Sequence, residues 1–212
     1  MYVRELDGQE LTFQVSGKLW MRSLIMYDAE TRSEWSHLLG RAMAGQLKGK
    51  KLKPLITDMV TWSVWKEQHP DTTVLNMSRT DRNYTKDFYL KPSRFLFGFH
   101  VSDKHFALPM PLMMDHPVFA FEAADTQLVA TFEKEGAVTH LFESNLEGQT
   151  LTFEHLDDSI MKDRETESRW EMLSGKCIDG KLKGKMLQQR VGIMSFRKAW
   201  ENFHPDSIDI QP

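Results

Sequence analysis

The residues best equipped for chemistry stand in one spacing that occurs twice. Asp28, Glu30, Thr31, Ser33 and Trp35 follow the pattern Asp-x-Glu-Thr-x-Ser-x-Trp, and Asp163, Glu165, Thr166, Ser168 and Trp170 repeat it. Two carboxylates beside a hydroxyl and an indole could line a ligand site, move a proton, or hold a hard cation such as calcium through oxygen ligands. The same residues have a structural use. A short Asp side chain braces a turn, and a Trp on the next strand fills the core. The structural reading ranks first because both copies keep every residue, and an enzyme built on Asp28, Glu30 and Ser33 ranks last.

A second set of candidates lies at His100, His105 and His116, interleaved with Met110, Met113 and Met114. Imidazole and thioether ligands together suit copper(I). Against that, Met is a common core filler, and Phe106 to Pro109 has the pattern of a plain strand ending. His69 and His204 each precede Pro-Asp at a helix C-terminus, where a C-cap role outranks catalysis. Cys177 is the only cysteine, which excludes an intrachain disulfide and a multi-cysteine zinc site and points to a small buried hydrophobe. Lysines cluster around Gly49 and Gly184 as solvated turns, without the glycine-rich loop and helix start of a phosphate cradle. No nucleophile elbow, Walker loop, dinucleotide fingerprint or His-Glu-x-x-His is present. Triads assemble from distant residues, so this removes the grounds for proposing an enzyme without excluding one.

The elements that must position these residues are duplicated. A shift of 135 positions lays Met26 to Asp71 on Met161 to Asp206 without a gap. Gly40, Gly45, Leu47-Lys48-Gly49-Lys50, Trp65 and His69-Pro70-Asp71 all meet their own kind. Upstream, Gly8-Gln9 and Leu11-Thr12-Phe13 match Gly148-Gln149 and Leu151-Thr152-Phe153 at a shift of 140, so copy one carries five extra residues between Phe13 and Met26. Each copy has the pattern of a β-meander. Strands are expected at Leu11 to Val15, Ser23 to Tyr27, Glu34 to Leu39, Arg41 to Ala44 and Leu52 to Ile56, with a turn at Asp28 to Thr31. A helix follows. In copy two Phe196, Ala199, Trp200 and Phe203 share one face behind a Ser195 cap; in copy one Thr61, Val64, Trp65 and Gln68 do so behind Asp58.

Ahead of the second meander, further strands are expected at Phe95 to Phe99, Phe106 to Leu108, Val118 to Phe121, Leu128 to Phe132 and Val138 to Phe142, without counterparts in copy one. The expected organisation is a first repeat at 1–75, a connecting loop at 76–94 and a second repeat at 95–212. The fold class is mainly β (α+β): internally duplicated meanders, each followed by a short C-terminal helix, forming one compact unit.

Hydrophobic residues at 41% and charged residues at 27% are ordinary globular values. A net charge of -3 offers no bulk attraction to nucleic acid or to an anionic membrane. No stretch approaches the ~18 apolar residues of a membrane-spanning helix. The first residues have no apolar signal core, which implies the cytoplasm for the chain as written and an extracytoplasmic site if the N-terminus is truncated.

Leu11 to Gly17, Met26-Tyr27-Asp28, Thr31, Ser33 to Ser36, Trp62 to Trp65 and His69 to Thr72 carry a resemblance over essentially the whole chain, joined by Val74-Leu75, Arg82 and Tyr84. In order and spacing they are similar to a mainly prokaryotic family catalogued as domain of unknown function 3179. The resemblance implies a Cys-Pro-Leu-Cys segment and a nearby His ahead of the first Leu-Thr-Phe. This sequence holds neither, so the metal or thiol ligands that such a segment would bring are not among its residues. It implies a fold and no reaction. The first expectation is therefore a non-catalytic binding module for a protein or small molecule, not nucleic acid, using a Trp-rich surface between the copies. Trp62 is its pointer, because copy two has Arg197 in that place. The alternative is a metal-binding or redox-associated protein with a degenerate site, taking copper, zinc or iron; no cofactor is assigned.

Overall fold

The computed structural model describes residues 1–57, 59–73 and 91–212. The expected cap Asp58, the Arg82 and Tyr84 link and most of the expected loop at 76–94 lie outside them. The contacts gather into two compact units, one of residues 1–57 and 198–205, the other of residues 58–197 and 206–212.

The first unit holds the copy-one meander. β1 (Glu5–Leu6) and β2 (Gln9–Glu10) form a tight hairpin. A four-stranded antiparallel sheet follows in sequence order: β3 (Phe13–Trp20), β4 (Ser23–Asp28), β5 (Glu34–Ser36) and β6 (Arg41–Ala44). Its core is Leu11, Trp35, Ala42 and Leu52, with Tyr2, Phe13, Met26 and Leu47 packed around it. The five extra residues lengthen one hairpin: beyond a bulge at Ser16 to Lys18, Leu19 pairs with Leu24 and Trp20 with Ser23. Residues 198–205 add all but the first residue of the last helix, and Phe203 at its end meets Trp20 edge-to-face at 4.9 Å.

Three expected strands change. The first starts at Phe13 rather than Leu11, because the Leu11 and Thr12 amides are taken by the Arg4 carbonyl and the Glu30 carboxylate instead of a ladder. Val15 is exposed. Leu52 to Ile56 does not close the sheet. Leu52 is buried, and the segment is held by isolated bridges, Arg41 to Lys51 and Tyr2 to Pro54. The return strand also stops early, at Ser36, where its hydroxyl accepts the Leu39 N–H and its carbonyl the Gly40 N–H.

The second unit is layered. β7 (Phe95–Val101) and β8 (Lys104–Pro109) pair with β18 (Gly192–Phe196) and β19 (Ile208–Asp209) in the order β18-β7-β8-β19. β9 (Val118–Ala123), β10 (Thr126–Glu133) and β11 (Val138–Glu143) form a second sheet with β10 in the middle. A short hairpin, β12 (Asn145–Leu146) and β13 (Gln149–Thr150), leads to the copy-two meander of β14 (Phe153–His155), β15 (Ile160–Asp163), β16 (Arg169–Glu171) and β17 (Cys177–Asp179). The run Leu128 to Glu133 is buried throughout because β10 has a core on each face. Leu128, Ala130 and Phe132 join Phe97, Phe106 and Met113; Val129 joins Phe142, Phe153, Met161 and Trp170.

α1 (Trp62–Gln68) belongs to this unit. Thr61 is its N-cap, without a side-chain cap bond, and the Thr61 N–H reaches the Gly136 carbonyl at 2.9 Å. α2 (Met110–Asp115) was not foreseen: Pro111 sets the backbone of its first turn, and Met110 and Met113 are core residues. α3 (Arg197–Phe203) starts later than expected, because Ser195 and Phe196 are spent in β18, opposite Leu96 and Phe95. No helix among the described residues is long and apolar enough to cross a membrane.

Candidate functional site

The repeated Asp-x-Glu-Thr-x-Ser-x-Trp element is a closed hydrogen-bonded turn in both copies. Asp28 ends β4 and is fully buried. Its Oδ1 accepts the Thr31 N–H at 2.5 Å and the Thr31 hydroxyl at 2.7 Å, while Oδ2 accepts the Trp35 indole N–H at 2.8 Å. Burial pushes the Asp28 carboxyl up, but the bonds from Trp35 and Thr31 outweigh it and hold it below the usual carboxylate range. The Ser33 hydroxyl lies 2.7 Å from Thr31 Oγ1 and accepts the Leu47 N–H at 3.0 Å. Its partners are a hydroxyl and an amide, not a base that would make it a nucleophile. Glu30 is on the surface, where the Thr12 N–H at 2.9 Å holds its carboxyl low.

Copy two repeats this bond for bond. Asp163 accepts the Thr166 N–H at 2.6 Å, the Thr166 hydroxyl at 2.9 Å and the Trp170 N–H at 2.9 Å. Ser168 meets Thr166 Oγ1 at 2.7 Å and the Leu182 N–H at 3.2 Å, and Glu165 accepts the Thr152 N–H at 2.8 Å. The partners that sequence reasoning missed are Leu47 and Leu182, fourteen residues beyond their serines. Their signal was the glycine pair Gly45 and Gly180. Both have positive φ, and a Cβ there would sit 2.7 Å from the Ser33 or Ser168 Cα.

The other candidates are dispersed. His100 and His105 are direct partners across the β7–β8 ladder, with His100 exposed and His105 half-buried. His116 caps the end of α2, its ring 5.9 Å from Phe119. Among the described residues, no three His, Cys, Asp or Glu side chains stand where they could share a metal ion. Cys177 is buried; burial pushes its thiol up, and its sulfur lies 3.3 Å from the Asp179 carbonyl. The rings of His69 and His204 pack tilted against those of Trp65 and Trp200, centroids 4.1 and 4.2 Å apart, and their backbone N–H groups bond the carbonyls of the same tryptophans. In the lysine turns, Lys50 pairs with Asp7 at 2.7 Å and Lys185 with Glu147 at 2.5 Å, both in solvent. Trp62 stands apart: it is 50% exposed at the start of α1. Its counterpart Arg197 pairs with Asp209 at 2.8 Å.

Neither a search of curated proteins nor one of solved structures finds a significant match. One family model matches twice, over residues 1–93 and 86–207, and so spans both copies. The chain therefore belongs to the family described as protein of unknown function (DUF3179), of which it carries two repeats.

Proposed function

We propose that the protein is a non-catalytic binding module whose partner, a protein or a small molecule, is gripped by the Trp62 indole. One observation carries this reading: a large aromatic side chain half in solvent at a position where the other copy has an ion-paired arginine. The repeated core does not need that indole, and Trp is enriched, with Tyr and Arg, among the residues that anchor binding interfaces. Met59, also exposed, lies three residues upstream. The carboxylates and hydroxyls that would otherwise suggest catalysis are spent in their own turns. The net charge of -3 favours a partner other than nucleic acid.

The test is Trp62→Ala. Thermal unfolding should stay within about 1 °C of the parent, since an exposed side chain contributes little to stability. Affinity for a partner captured with the parent protein and identified by mass spectrometry should fall at least about tenfold. Undiminished affinity would retire the reading.

A further inference from the structure

We draw no further inference here: the strongest candidate, the apolar surface of Val15, Leu19 and Met21 on the β3–β4 hairpin, carries nothing because nothing in the structure shows what covers it.

Discussion

Asp28 shows how a residue suited to catalysis is consumed by architecture. Its carboxylate is buried, which alone would favour the neutral form, yet three hydrogen bonds keep it ionised. In the unfolded chain the carboxyl returns to an ordinary value near about 3.9 and binds a proton more readily. The stability that Asp28 contributes is therefore complete above that value and is lost as the pH falls toward the lower folded one. Asp28→Asn should flatten the acid limb of the stability curve below about pH 4, measured as urea midpoints. Asp28→Ala strands the buried Trp35 N–H and should cost about 1–3 kcal/mol, and Asp163→Ala should cost about the same. A midpoint unchanged by either substitution would show that the turn is held by other bonds. Both roles, the turn brace and the core Trp, were legible from spacing. The direct bond between them was not, because nothing in spacing says that an indole edge returns to the strand before the turn.

Among the elements, the meander hairpins were legible where turn residues and alternation agreed, and misjudged where peptide groups found other partners. Leu11-Thr12 alternates like a strand, but their amides bond to Arg4 and Glu30. Ser195 looked like a cap until its backbone was claimed by Leu96 of β7. In each case a long-range bond overrode a local pattern. The Gly45 and Gly180 positions combine positive φ with close backbone approach, so Gly45→Ala or Gly180→Ala should destabilise by about 2 kcal/mol or more in chemical denaturation. A smaller cost would mean that the turn can relax away from the serine. The five extra residues of copy one make the hairpin that carries Trp20 to Phe203. Trp20→Ala should cost about 1–2 kcal/mol and speed amide exchange within residues 198–203. Unaltered exchange there would show that the ring contact does not hold the helix end.

Across the whole molecule, membership of the family and the β-rich duplication followed from ordered, gap-poor repeats, which survive any folding of the chain. The placement of the helices did not. All of α3 but its first residue, from copy two, gathers with residues 1–57, while α1, from copy one, gathers with the unit that holds the second meander. Hydrophobic periodicity says that a helix face is buried, not which neighbour buries it. Trp62→Ala should accordingly leave unfolding unchanged while weakening partner binding, and Trp65→Ala, which removes an indole that bonds Thr72 and packs against the His69 ring, should lower the melting temperature by several degrees. Equal melting of the two variants would remove the distinction between surface and structural tryptophans. The amino-acid order by itself determined the repeat, the strand-rich class and the chemical types at each turn, because these depend on local spacing alone. Only the tertiary structure decided that both Asp-Ser-Trp clusters are closed on themselves and that Trp62 is left in solvent. Those outcomes depend on which distant amides and rings reach each side chain.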